Sequence, residues 1–353
     1  MERKLKAAVI GLGTICWGHL DAYRDNEHTE LYAVCDIDGE WAEYVRNKYN
    51  AAKAYTDYHE LLRDPEIDVV SICLPNKWHA PVTIEALEAG KHVLCEKPMA
   101  PTAADGRRMR EAELKSGKKL MISHNQRFGE DVQIMKKLYD EGAFGDVYHV
   151  RIGWRRALGQ MQSPYDEREN GTKYNRNWFH EKAENGGVLR DLGSHLIDLT
   201  MYILGFPKLE SAYASAYRKF KPDLPEGEAN KFTFDSEDMI TGLAKFENGL
   251  SIQMEFSFGS TVPEEKLITN IYGTKMGAER LGFTKQLNLI RVGDGDSFTT
   301  ELAKPEDYGA VPFKHPAHGF IDAILNDTEV PVPSDQGIKV LEVLDALYKE
   351  CGI

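Results

Sequence analysis

No apolar run in this 353-residue chain approaches the about 18 residues that a bilayer-spanning helix needs. Met1 to Lys6 leads straight into a strand-like run without the apolar core of a signal peptide, so the expected compartment is the cytoplasm. Basic charge is short as well, with 43 Lys and Arg against 56 Asp and Glu and a net charge of −13. A phosphate-backbone partner calls for a basic face, so nucleic acid is not expected. Cysteine is sparse and odd in number: Cys16, Cys35, Cys73, Cys95 and Cys351. Cysteines lying in apolar strand-like runs read as small core residues in a reducing compartment, not as a disulfide framework or a zinc site. The Asn170-Gly171-Thr172 sequon would go unused in a chain that is not secreted. What remains is an ordinary globular composition, 42% hydrophobic and 28% charged, long enough for about two domains.

The first part of the chain alternates short apolar runs with helical segments. Leu5 to Ile10 meets Gly11-Leu12-Gly13-Thr14-Ile15-Cys16 and then a helical segment to about Tyr23. Strand, glycine turn and helix are the context of a dinucleotide fingerprint. Gly11 would permit the tight turn, and Gly13 would let a pyrophosphate approach the N–H groups of a helix N-terminus. Cys16 stands where the fingerprint's third glycine would be. The second run, Glu30 to Cys35, ends at Asp36, placed to accept hydrogen bonds from both hydroxyls of an adenosine ribose and to repel a 2′-phosphate, which favours NAD over NADP. Asp38 is the nearby competitor. Further strands are expected at Lys53 to Tyr55, Val69 to Leu74, His92 to Cys95 and Lys119 to Ser123, with helices between them, which gives a doubly wound parallel sheet.

The pattern changes after Asn125-Gln126-Arg127-Phe128. Strand-like runs then follow one another at Val147 to Trp154, Leu209 to Arg218, Met239 to Phe246, Ser251 to Phe258, Leu267 to Tyr272 and Leu287 to Val292. The expectation is a Rossmann domain over residues 1–125 and an α+β domain with an open, mostly antiparallel sheet over 126–353, its closing helix from Asp335 to Lys349 packing back on the first.

Two stretches carry the chemistry. Val93 to Pro98 is an apolar run that stops on Glu96-Lys97 and a proline, so a buried strand delivers a lysine to the rim of the sheet. Most lysines are merely solvated. Here Pro98 removes a donor and disfavours a helical Lys97, which restricts how that side chain leaves the strand. The second stretch is a helix expected from Val188 to Leu199 after Gly186-Gly187. Asp191 and His195 are four apart on it and share a face, a pairing a purely structural helix has little reason to carry on its apolar side.

Together GLGTIC followed by His19, the strand end Cys35-Asp36, LPNKWHAP, GKHVLCEKP, NQRF, GGVLRDLGSHLIDL and YGTKMG at Tyr272 to Gly277 resemble the Gfo/Idh/MocA family of nicotinamide-dependent oxidoreductases. The resemblance implies a Rossmann domain followed by an open sheet domain. It implies catalytic roles for Lys97, Asp191 and His195, and dinucleotide contacts at Gly11, Gly13 and Asp36 with Thr14 and Ile15 beside them. Leu74, Asn76, His79, Glu96, Lys97 and Asn125 would lie near the ribose and nicotinamide, and the chain would form a homodimer or homotetramer.

On this reading His195 takes the proton of a reacting hydroxyl while the carbon's hydride passes to the nicotinamide. Asp191 orients the imidazole or a neighbouring hydroxyl, and Lys97 hydrogen-bonds the developing alkoxide. No metal is called for; His315 and His318 flank a helix start without a third ligand. The insert from Ala157 to Glu184, with Tyr165, Arg168, Tyr174, Arg176, Trp178 and His180, suits a polyhydroxylated ring. Arg156 would meet a substrate, with Lys97, Tyr165, Trp178, Asp191 and His195. The expected substrate is a sugar, a cyclitol or a glycoside. Two alternatives remain: a glycosidase that oxidises a ring hydroxyl transiently with bound NAD, and a non-catalytic regulator that binds the dinucleotide.

Overall fold

The computed structural model describes residues 3–224, 227, 229–293, 297–312 and 314–352. The chain divides into two compact units. The first comprises Met1–Asn125, Arg168–Thr172 and Lys314–Leu341, the second Gln126–Glu167, Lys173–Phe313 and Glu342–Ile353.

The first unit is built on six parallel strands: β1 (Leu5–Ile10), β2 (Thr29–Cys35), β3 (Lys53–Tyr55), β4 (Val69–Ile72), β5 (His92–Cys95) and β6 (Leu120–Ile122). Their order is β3-β2-β1-β4-β5-β6, so the winding reverses between β1 and β4. Strands β4 and β6 are buried throughout, which is why they read as almost wholly apolar runs. The helices between them start and stop on local signals. Asp38 accepts the Trp41 N–H at 3.1 Å to open Gly39–Tyr49, and Asn50 ends it at φ 53°; Thr102 opens Ala103–Ser116 and Gly117 ends it at φ 65°. Ligands of such sheets bind beyond the carboxyl ends of the strands near the reversal. Gly11, Asp36, Leu74, Glu96 and Asn125 all lie just past those ends.

The second unit holds β7 (Val147–Ala157), a two-stranded ribbon of β8 (Tyr165–Glu167) and β9 (Lys173–Asn175), then β10 (Leu209–Tyr217), β11 (Met239–Phe246), β12 (Ser251–Ser260), β13 (Lys266–Gly273), β14 (Met276–Leu281), β15 (Gln286–Val292) and β16 (Phe298–Leu302). Eight of these form a sheet in the order β10-β11-β12-β7-β13-β14-β15-β16. Only β12 and β7 pair parallel within it. The fold class matches the sequence reading, with differences in detail. Strand β14 escapes that reading because Arg280 points inward, where it meets Asp131 at 2.6 Å with both side chains almost fully buried. Strand β16 escapes it because every residue is exposed, leaving no alternation to see. The insert from Ala157 to Glu184 carries the β8–β9 ribbon. Among the described residues, no helix is long and apolar enough to cross a membrane.

Candidate functional site

In the first unit the glycine turn is held by close backbone approach. Gly11 sits at φ 90°, and a Cβ there would lie 2.5 Å from the Cys73 carbonyl oxygen, so only glycine fits. The following helix, Cys16–Asp25, has no side-chain cap and no acid in its first turn, which leaves its N-terminal dipole open to an anion. Cys16, the departure from the glycine fingerprint, is fully buried, and burial pushes its thiol pKa up. Asp36 accepts the Leu12 N–H at 3.0 Å and the Asp38 N–H at 3.0 Å. A carboxylate has lone pairs left after two such bonds. Asn125 Oδ1 is buried without a hydrogen-bond partner among the described residues. An open helix end, a carboxylate at the end of β2 with lone pairs to spare and an orphaned amide oxygen fit a dinucleotide.

Lys97 is partly exposed after β5, and its bond to Pro98 is cis. Beneath it Glu96 is buried and tied down: Oε1 lies 2.9 Å from His19 Nε2, and Oε2 accepts the Lys97 N–H at 3.1 Å. Burial works to raise the Glu96 pKa, but His19's bond and charge together with Ser123 and the Lys97 charge bring it down to about 2. His19 Nδ1 lies 2.9 Å from Ser71 Oγ, which the Tyr23 hydroxyl meets at 2.8 Å. This buried network escaped the sequence reading. Its signal was Ser71, a polar residue inside the otherwise apolar β4.

His79 is placed differently from a residue aimed at a ligand. Its Nε2 lies 2.8 Å from the Leu74 carbonyl oxygen and its Nδ1 2.7 Å from that of Pro98. Burial lowers its pKa, and a neutral ring has one N–H to give to one of the two. His79 therefore ties the end of β4 to the turn after Lys97. Asn76 is buried beside it in the turn Asn76–Trp78. His315 caps the helix Pro316–Leu325 through the Ala317 N–H at 3.2 Å; among the described residues, no cluster of three or more His, Cys, Asp or Glu could hold a metal.

The second unit carries Asp191 and His195. The expected α-helix over Val188–Leu199 is corrected: Leu189–Gly193 is a π-helical turn, and Ser194–Ile203 continues as α-helix. Ser194 N–H passes over the Arg190 carbonyl and donates to Leu189, while the Ser194 hydroxyl donates to Arg190 at 2.7 Å in its place. The segment starts at Gly187, φ 114°, where a Cβ would lie 2.3 Å from Glu237 Oε2. Glu237, another residue missing from the sequence reading, accepts the Leu189 N–H at 3.1 Å and the Tyr348 hydroxyl at 2.8 Å, and its burial raises its pKa. The middle of the helix is fixed by a buried pair, Arg127 Nε to Asp198 Oδ2 at 2.8 Å.

Asp191 is buried and His195 partly exposed. The His195 ring lies 6.0 Å from that of Trp154, whose indole N–H donates to Glu265 at 2.6 Å. Arg156 Nε shares that Glu265 oxygen at 3.3 Å, so the structure gathers Trp154, Arg156 and His195 in one neighbourhood. Tyr165 lies beside Phe232, and Trp178 is stacked on Phe179 at 3.6 Å between centroids.

Comparison with known proteins agrees with this geometry. The family model GFO_IDH_MocA, an oxidoreductase family with an NAD-binding Rossmann fold, matches residues 5–124, and the GFO/IDH/MocA C-terminal domain matches residues 132–279. The chain is 33% identical to D-glucoside 3-dehydrogenase of Escherichia coli (strain K12), over 98% of this chain and 95% of that one. It is 26% identical to scyllo-inositol 2-dehydrogenase (NADP(+)) of Bacillus subtilis (strain 168), over 89% and 85% of the two chains. A levoglucosan dehydrogenase in complex with NADH and levoglucosan shares the fold, with a TM-score of 0.84 and 23% identity over 99% of this chain and 98% of that one. The chain belongs to the GFO/IDH/MocA family and is an NAD-dependent oxidoreductase.

Proposed function

We propose that the chain oxidises a ring hydroxyl of a sugar, cyclitol or glycoside to the ketone, with Lys97, Asp191 and His195 as its catalytic residues. The observation that supports this most is the pair on one helix: a buried carboxylate and, one turn on, a partly exposed imidazole. Bound NAD+ supplies the hydride acceptor. His195 takes the hydroxyl proton, Asp191 orients the imidazole, and Lys97 hydrogen-bonds the oxygen as its charge develops. Gly11, Gly13, Thr14 and Ile15 hold the pyrophosphate end, Asp36 the adenosine ribose, and Leu74, Asn76, Glu96 and Asn125 the nicotinamide half. Arg156 meets a substrate hydroxyl near His195, with Tyr165 and Trp178 as further contacts. The protein works in the cytoplasm as a homodimer or homotetramer.

The test is NADH absorbance with NAD+ and a panel of inositols, aldoses, uronates and aryl glycosides, with products analysed in the same samples. NADH in step with a keto product supports the reading. Aglycone released without net NADH replaces it with a redox-cycling glycosidase, and silence in both despite bound NAD overturns catalysis on this panel.

A further inference from the structure

Asp36 does not stand alone at the adenosine end of the first unit. The segment Arg168–Thr172, which follows β8 in the chain, belongs to that unit and is a closed turn: Arg168 N–H donates to the Thr172 carbonyl at 2.7 Å, and Gly171 N–H to the Arg168 carbonyl at 2.8 Å. Glu169 fastens it to the helix Gly39–Tyr49, accepting from Lys48 Nζ at 2.6 Å and from the Tyr44 hydroxyl at 3.2 Å. The fastening sets Arg168 down beside the carboxylates that end β2. Arg168 Nη1 donates to Asp38, and Nη2 lies 3.7 Å from Asp36 Oδ1. Its guanidinium carbon lies 4.9 Å from the centroid of Trp41, whose indole N–H donates to the Leu12 carbonyl of the glycine turn at 2.9 Å. The Arg168 side chain is only 8% exposed.

From this placement we propose that Arg168 is a specificity-determining residue of the dinucleotide site, giving the ribose 2′ position a cation beside Asp36, so that NADP+ is accepted as a secondary cofactor. The proposal rests on the assignment of Asp36 to the adenosine ribose. At 3.7 Å the approach to Asp36 is a charge contact, too long for a hydrogen bond. A substituent on a hydroxyl held by Asp36 therefore comes within reach of a planar guanidinium already positioned by the Trp41 face and by Asp38. Arginine meets phosphate oxygens bidentately. Two carboxylates against one guanidinium leave the spot net negative, so NAD+ remains the preferred dinucleotide.

Calorimetric titration with NAD+ and NADP+, without substrate, tests it. The wild type should bind both, NAD+ the tighter. Arg168→Gln should weaken NADP+ by roughly tenfold or more and NAD+ by less than about threefold, and Arg168→Lys should restore part of the loss because the charge remains. Asp36→Asn should strengthen NADP+, and in the Asp36→Asn, Arg168→Gln double variant that gain should vanish. Glu169→Gln loosens the same turn without touching the ribose charge, so it should move both affinities alike. Equal losses for the two dinucleotides in Arg168→Gln, or a gain in Asp36→Asn that survives the double variant, would overturn the proposal. A NAD+ affinity unmoved by Asp36→Asn would instead overturn the assignment on which it rests.

Discussion

Gly187→Ala isolates how the helix that carries Asp191 and His195 is started. Gly187 holds φ 114°, a conformation an L-residue rarely adopts, and an added methyl would stand 2.3 and 2.4 Å from the two oxygens of Glu237. The carboxyl is buried and is bonded by the Leu189 N–H and the Tyr348 hydroxyl, so moving it breaks what begins the π-turn. Backbone strain costs about 1–3 kcal/mol. Bonds lost at a buried charged group cost about 1.5–3 kcal/mol, for a sum of about 2.5–6 kcal/mol. In a unit of this size that lowers the melting temperature by roughly 10 °C. Near-ultraviolet circular dichroism should show the drop, turnover should fall as Asp191 and His195 lose their setting, and NAD affinity should stay as it was. Gly249→Ala is the control, since Gly249 also has positive φ, 77°, but nothing within 4 Å of the added methyl. Equal shifts in the two variants would refute the clash with Glu237, and wild-type melting and turnover in Gly187→Ala would refute the account of the helix start.

Other perturbations separate the remaining roles. His195→Ala should reduce turnover by roughly 10²–10⁴ with NAD affinity nearly unchanged, and ordinary turnover would remove His195 from the mechanism. Glu96 is held down to about 2 in the fold, so the stability it contributes is complete above its ordinary value and is lost as pH falls from there through the folded value. Glu96→Gln should flatten the acid limb of a stability–pH curve, and an unaltered limb would show that the His19 pair contributes nothing. Asp198→Ala leaves the buried Arg127 charge without its carboxylate, at a cost of about 3–5 kcal/mol in urea unfolding; a cost near zero would mean water reaches the pair.

Much of the candidate site's placement was legible because its residues follow strand ends. A glycine turn after β1, an acid after β2 and a lysine after β5 are nearest-neighbour signals, and the helix caps at Asp38 and Thr102 are of the same kind. What was not legible depends on partners distant in the chain. Nothing near His79 announces that both its ring nitrogens face carbonyl oxygens, one of them at Pro98. The spacing of Asp191 and His195 suggested an α-helix, but Glu237 and the Ser194 hydroxyl rearrange its first turn.

The sequence by itself determined the alternation that builds a parallel sheet, the later run of strands, and the positions of the groups beyond the carboxyl ends of the first unit's strands. Those follow from apolar periodicity and from turn and cap residues, which act over a few positions. The tertiary structure alone decided the order of the eight-stranded sheet, the inward Arg280, the His19–Glu96–Ser71 network and the landing of Arg168 beside Asp36. Each joins residues far apart in the chain, and which charge or polar group meets which is settled only when burial removes water as the competing partner.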